Sequence, residues 1–222
     1  MTKGTLSTRD YIYESLLEDI LQMTLEPGKS LSEKEVAEVF HVSRTPVREA
    51  FLRLEKEGLL EIFPQKGSFV SLIDYSLVEE AQFMREQLEL AVMKLACESF
   101  PNAELINLET NLKKQEIYVR EKDSKELFNL DEEFHYIFFK GCKKERVWDN
   151  IQAMNLHFKR VRVLRLVSDY SWENIIKDHM LIYQAVVDKD SERAQDIMHR
   201  HLTRVWDDST DLKLKYPQYF KE

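Results

Sequence analysis

Cysteine is scarce in this chain: Cys97 and Cys142 are the only two among 222 residues. Two lone thiols point to a reducing compartment, and neither is assigned a role. Glycine and proline are also few, five of each, which leaves little room for a long flexible linker. No apolar run reaches the ~18 residues that a membrane-spanning helix needs, so no membrane partner is expected. The first residues carry Lys3 and Arg9 but no apolar signal core, so no export signal is read and a cytoplasmic location is expected. An excess of positive charge is missing too. The formal net charge is −8, and residues 1–73 hold nine Lys and Arg against twelve Asp and Glu. Global charge therefore gives no support for nucleic-acid binding, and an acidic remainder would limit non-specific binding. What is present is 43% hydrophobic and 32% charged residues, enough to bury a core and stay soluble. The length admits one or two domains.

The stretch from Ser32 to Gly67 carries the most information. Ser32 and Glu35 have capping-box spacing at a helix start. Val36, Ala37 and Phe40 give that helix an apolar face, and His41-Val42-Ser43 is a short turn. Ser43 can cap a second helix with Pro46 in its first turn, where a missing N–H costs little. Val47, Ala50, Phe51 and Leu54 recur at helical spacing. Arg44, Thr45 and Arg48 lie near the helix start, outside that stripe, where a recognition helix meets base edges and phosphates. Arg53 and Lys56 add charge to the same helix. Gly58 stops it. Residues 59–62 and 68–72 read as two strands around Pro64-Gln65-Lys66-Gly67, a β-hairpin wing. The pattern is that of a winged helix-turn-helix reading duplex DNA.

These residues resemble the GntR family of bacterial transcription regulators. The matching pieces are Leu25-Glu26-Pro27-Gly28, Leu31-Ser32-Glu33, the run from Ser43 to Ala50, Leu54 to Gly58, and Gly67-Ser68-Phe69-Val70. The resemblance implies that Ser43, Arg44, Thr45 and Arg48 face DNA in the major groove. It also implies that Lys66 and Gly67 reach the minor groove and that Lys34 contacts phosphate. His41 departs from the pattern, standing where the family usually has Gly. That turn needs a left-handed residue, which His tolerates better than most.

Beyond Ile73 nearly everything has helical period. Six helices are expected, at about 75–99, 102–121, 124–141, 145–167, 172–188 and 191–214, with caps at Ser76, Asn102, Ser124, Ser171 and Asp190. The expected fold class is mainly α: a winged helix-turn-helix over residues 1–73 and an antiparallel helical bundle over 74–222. Three apolar stripes contain polar residues. Asp131 and His135 share a face with Leu127, Phe128, Phe134 and Phe138. His179 lies among Ile175, Ile176, Ile182, Tyr183 and Val186. His201 lies among Ala194, Ile197, Met198, Leu202 and Val205. Burying four such groups unpaired would cost ~1–3 kcal/mol each. Each could instead be an ordinary core residue with a bonded neighbour, but one metal ion would satisfy all four. His199 faces away from that site, His157 sits among Lys159, Arg160 and Arg162, and His41 is the turn residue. All three are read as structural or solvated.

This part is similar to the ligand-binding domain of FadR-type GntR regulators, the FCD class. The pieces are Arg85-x-x-Leu88-Glu89, Asp131-x-x-Phe134-His135, His179 before an apolar turn, and Met198-x-x-His201-Leu202. The resemblance implies that Asp131, His135, His179 and His201 bind a divalent metal. Zinc is the first choice for three nitrogens and an oxygen; nickel, iron or manganese fit as well. Open coordination positions would admit a small organic acid. Arg85, on an inward stripe, is either a bidentate carboxylate clamp or the partner of Glu89 four residues on. The resemblance favours the clamp, with Arg165 as a second. Trp172 and Tyr183 either line the pocket or pack. Where the family often has Gly-Asn after the third bundle helix, this chain has Gly141-Cys142, which puts an effector contact from that loop in doubt.

The resulting expectation is a homodimeric, ligand-responsive repressor, not an enzyme, reading a palindromic operator in double-stranded DNA. A metal-sensing regulator and a metal-dependent hydrolase are the alternatives.

Overall fold

A computed structural model describes residues 7–167 and 172–221, without the side chains of 166–167 and 205–210. The expected cap Ser171 and the side chain of Val205 lie outside the described residues.

The chain opens with a helix that the sequence reading left unassigned, α1 (Thr8–Leu21). Ser7 caps it, accepting from the Asp10 N–H at 3.2 Å. Ile12, Tyr13, Leu16 and Ile20 are buried on one face. That face meets α3 (Arg44–Lys56), which buries Val47, Ala50, Phe51 and Leu54. Between them lies α2 (Glu33–Val39), where Ser32 Oγ accepts from the Glu35 N–H at 3.5 Å. Ser43 stands at the N-cap of α3, but its side chain makes no capping bond. His41 has φ 55°, so the turn is left-handed as expected.

At the end of α3, Gly58 takes φ 76°. Its N–H donates to Glu55 O at 2.9 Å, and Leu59 N–H reaches back to Leu54 O at 2.9 Å. This 6→1 and 5→2 pair is a glycine stop that a Cβ would strain. The wing follows as β2 (Leu60–Phe63) and β3 (Gly67–Val70), antiparallel with Leu60 opposite Val70 and Phe63 opposite Gly67. A two-residue strand, β1 (Ser30–Leu31), pairs with β3 on its other edge, giving the order β1-β3-β2.

Seven further helices form the remainder: α4 (Tyr75–Glu98), α5 (Asn102–Glu121), α6 (Ser124–Gly141), α7 (Glu145–Met154), α8 (Leu156–Val167), α9 (Trp172–Val187) and α10 (Ser191–Lys215). The caps sit one or two residues earlier than Ser76, Asn102 and Ser124 would have them. Asp74 and Asp123 accept from backbone N–H groups, while Pro101 precedes α5 without a side-chain bond. Carboxylates are the better acceptors here, and they complement the positive end of the helix.

The single helix expected over 145–167 is broken at the fully buried Asn155. The break turns Leu156 into the core beneath α1 and α3, an apolar gain that periodicity alone does not reveal. The chain end also returns. Ile73 N–H donates to Tyr219 O at 2.8 Å and Lys221 N–H to Ile73 O at 3.0 Å, tying the tail to the segment between β3 and α4. None of the described helices is long and apolar enough to cross a membrane.

Candidate functional site

Two groups of residues stand out, one on the surface and one in the bundle. On the surface, Lys34, Ser43, Arg44, Thr45, Arg48, Lys66 and Gly67 are all exposed. Arg44 is the first residue of α3 and Arg48 follows one turn later. Neither makes an ion pair among the described residues, so both guanidinium groups remain available to an anion. Lys34 and Arg44 border one open groove with Ser43. Arg53, counted with them in the sequence, is spoken for. It pairs with Glu57 at 3.3 Å and lies 3.4 Å above the Tyr13 ring, where it locks α3 to α1. Lys66 sits at the hairpin tip, beside Gln65 at φ 64° and Gly67 at φ 113°.

Inside the bundle, Asp131, His135, His179 and His201 come together. One potential ligand atom from each lies within 4.8 Å of the others, and all four residues are buried. His135 Nε2 and His201 Nε2 are 3.1 Å apart, and His179 Nε2 is 3.5 Å from Asp131 Oδ1. Two nitrogens on one ion at ~2.1 Å each would stand about 3.0–3.4 Å apart, so this spacing suits a shared metal. His179 Nε2 has no hydrogen-bond partner, an expensive state for a buried polar atom.

The opposite edge of each imidazole faces an oxygen. His135 Nδ1 bonds Glu89, His179 Nδ1 lies 2.9 Å from Gln115 Oε1, and His201 Nδ1 is 4.0 Å from Asp178 Oδ2. The first two are hydrogen bonds of the kind that fix the tautomer and turn Nε2 inward in metal-binding histidines, while His201 Nδ1 faces Asp178 without a hydrogen bond. Burial drives His179 down to about 3 and His201 well below its usual value, the latter helped by the neighbouring imidazoles. Burial pushes the Asp131 carboxyl up, but Arg162, His135 and His179 together hold it below the usual range. For His179 and His201, a neutral imidazole beside an ionised carboxylate is the state metal ligation requires. The donor set therefore fits a divalent ion.

Around this cluster the structure adds residues the sequence reading did not assign. Glu89, Gln115 and Asp178 are the imidazole partners. Arg162, read only as nearby positive charge, bonds both Asp131 and Glu132. A signal existed for Gln115: with Asn111 it occupies the buried stripe of α5, four residues apart. Arg85 makes the Glu89 pairing that its spacing allowed. Its Nε bonds Glu89 at 2.6 Å, while Nη2 is buried without a partner and the side chain lines a small cavity. That cavity also touches Asp131, His201, Arg162, Arg165 and Trp172. Tyr183 packs against the apolar core instead, and the loop after Gly141 does not reach the cavity. Gly141 has a packing reason of its own, since a Cβ there would fall 2.2 Å from the Phe100 ring.

A third cluster joins the two halves. His157 is buried, and its Nδ1 accepts from the Asp74 N–H at 3.1 Å. Arg160, fully buried, donates to Ser71 O at 2.5 Å and Ser71 Oγ at 3.2 Å.

Known proteins resemble the chain over its length. The family described as "Bacterial regulatory proteins, gntR family" matches residues 8–70, and "FCD domain" matches residues 80–204. The HTH-type transcriptional repressor RspR of Escherichia coli K12 is 32% identical, over 98% of this chain and 96% of its own length. An HTH-type transcriptional regulator in an unstable DNA locus of Streptomyces ambofaciens is 36% identical, over 99% and 92%. Among solved structures, E. coli McbR/YncC covers 96% of this chain and 100% of its own, with TM-score 0.78 at 22% identity, which speaks for the fold alone. These relatives are regulators rather than enzymes, and the hydrolase alternative falls. The chain belongs to the GntR family of bacterial regulatory proteins, as a DNA-binding transcription regulator with an FCD domain.

Proposed function

We propose that this regulator is a FadR-type, cytoplasmic, homodimeric repressor whose hold on a palindromic operator is modulated by a small carboxylate bound at a divalent metal. The DNA-binding part comprises residues 1–73 and the metal- and effector-binding part residues 74–222. The observation that carries the reading is the convergence of Asp131, His135, His179 and His201 beside a cavity lined by Arg85. Zinc suits the donor set, and nickel, iron or manganese fit it too. The ion would offer open coordination positions to a carboxylate arriving from the cavity, on the side of Asp131 and His201. Arg85 would bind that carboxylate, with Arg165 as a second clamp.

On the DNA side, Ser43, Arg44, Thr45 and Arg48 would enter the major groove, Lys34 would hold phosphate, and Lys66 and Gly67 would enter the minor groove. Helix α8 supplies the link. Arg162 and Arg165 sit at its cavity end, while Leu156 and Arg160 grip the DNA-binding part and His157 bonds Asp74 just beyond it. A ligand that draws on Arg162 or Arg165 would move the other end of the same rigid rod. Effector binding would then favour one placement of the two heads over another, which requires different affinity in the two arrangements.

The test is the affinity of metal-loaded protein for a duplex selected from genomic DNA, read by fluorescence anisotropy. Arg44→Ala/Arg48→Ala should weaken binding by about 10–100-fold, and unchanged binding would sink the reading. The cavity also gives solvent a route to Asp131 and His201, which supports metal sensing as a second reading. Operator affinity that follows metal without any acid would select it.

A further inference from the structure

The head and the bundle are joined by the short segment between β3 and α4, and that linker is held from two sides. On one side α8 supplies Arg160 to Ser71 and His157 to the Asp74 N–H. On the other lie residues 216–221, which follow α10.

Ile73, in the linker, is fully buried, and both of its backbone polar groups are taken by this distant segment. Its N–H donates to Tyr219 O at 2.8 Å, and its carbonyl accepts from the Lys221 N–H at 3.0 Å, in a parallel bridge with Phe220. Phe220 is 6% exposed and shares a buried cluster with Ile73, Val78 of α4, Phe158 of α8 and Leu212 of α10. Lys221 Nζ lies 3.3 Å from Asp74 Oδ2, and the other oxygen of that carboxylate caps α4. The Tyr219 hydroxyl donates to the carboxylate of Glu26, a residue of the head. The segment thus touches head, linker and bundle at once. It belongs to neither large core: among the described residues, the apolar clusters of head and bundle take no member from 216–221. Any motion of the head that rotates the backbone at Ile73 breaks two backbone hydrogen bonds and draws Phe220 out of its cluster, while both large cores stay intact.

We infer that Tyr219, Phe220 and Lys221 form a strap that fixes the placement of the DNA-binding head against the bundle, a device that needs neither the metal nor the acid proposed above. The strap leaves the last turn of α10, where the Tyr216 N–H donates to Leu212 O at 2.9 Å. A shift of α10 is passed through it to the linker.

The experiment is hydrogen exchange read by mass spectrometry on full-length wild type and three variants. Phe220→Ala removes the buried ring. Lys221→Pro removes the N–H that the Ile73 carbonyl accepts, and Phe220, at φ −106° and ψ 144°, tolerates a proline after it. In both, the peptide spanning 71–75 should exchange at least about tenfold faster, with α6 and α9 unchanged. Lys221→Ala keeps the N–H and should stay within about twofold of wild type. Affinity for the genomic duplex should move by at least about fivefold in Phe220→Ala and Lys221→Pro, because the fraction of heads in the binding placement changes. That change is a loss if the strapped placement is the one that binds and a gain if it is not. Wild-type exchange at 71–75 overturns the strap, and so does faster exchange throughout α6 and α9, which would make the segment an ordinary piece of core. A loosened linker with unchanged DNA affinity overturns its control of the head. Equal effects of Lys221→Ala and Lys221→Pro overturn the backbone pairing as the fastener. Lys221→Pro leaves the ring in place and decides the matter even where Phe220→Ala fails to fold.

Discussion

Two buried polar clusters, both touched by α8, use the same residue types for different ends. At the junction, His157 and Arg160 are each matched to backbone: the imidazole to the Asp74 N–H, the guanidinium to Ser71 O. In the bundle, three imidazoles turn their Nδ1 edges outward to Glu89, Gln115 and Asp178 and their Nε2 edges toward one another and Asp131. A buried histidine therefore marks nothing by itself. What marks a site is convergence of unspent lone pairs, with the far edges of two of the three imidazoles, His135 and His179, already committed. The junction also leaves His157 Nε2 and Arg160 Nε without hydrogen-bond partners, but among the described residues it is the bundle cluster that gathers four potential ligand atoms around one point.

The sharpest way to break this contrast is to delete one imidazole from each side. His179→Ala or His201→Ala should cost about 100-fold or more in zinc affinity, while His157→Gln should leave it unchanged. Competition against a chromophoric chelator reads both. Equal losses would erase the distinction. Next in size are the outward partners: Glu89→Gln and Gln115→Ala should each cost about 10–100-fold in metal affinity without removing a ligand.

On the junction side, Arg160→Met keeps volume but strips the donors from Ser71. Thermal unfolding should show a loss of about 1–3 kcal/mol. Metal affinity should stay intact, and the response of operator affinity to an acid should shrink. A variant with full response would show that coupling bypasses α8.

Narrowest in its readout is a pH dependence. Burial and Arg160 lower His157 to about 4, against a smaller upward pull from Asp74, with Lys221 also facing it. Below pH ~6.5 the unfolded chain takes up a proton that the folded one refuses. This contribution is thus complete above that pH and lost as pH falls toward 4, by about 3 kcal/mol. The difference between wild type and His157→Gln melting across that window isolates it from His179, which shifts in the same direction.

Legibility followed the same division. The head could be read closely because its signals are local. Ser32, Gly58 and the left-handed His41 each specify backbone within a few residues, and the structure has all three where expected. Helix α1 has a cap in Ser7 with Asp10 and a stripe in Ile12, Leu16 and Ile20, but no turn or motif beside it fixes its place in the fold. In the bundle, helix existence and the inward stripes could be read from period. The break at Asn155 could not, because nothing at that position forbids helix. It is chosen by where Leu156 finds apolar contact, a long-range gain. The pairing of Arg162 with Asp131 and Glu132 joins residues thirty-one and thirty positions apart, which one sequence cannot reveal. Arg53 is a helix-surface cation whose packing on Tyr13 and pairing with Glu57 the helical pattern alone does not reveal.

The most direct test of the central claim is titration of zinc into chelated full-length protein, followed by calorimetry and by the shift in melting temperature. The account predicts one ion per chain, held below micromolar Kd, with a rise in melting temperature that grows with free zinc by mass action. It also predicts that Asp131→Ala and His179→Ala abolish both signals. No stoichiometric binding, or binding that survives both substitutions, would contradict it.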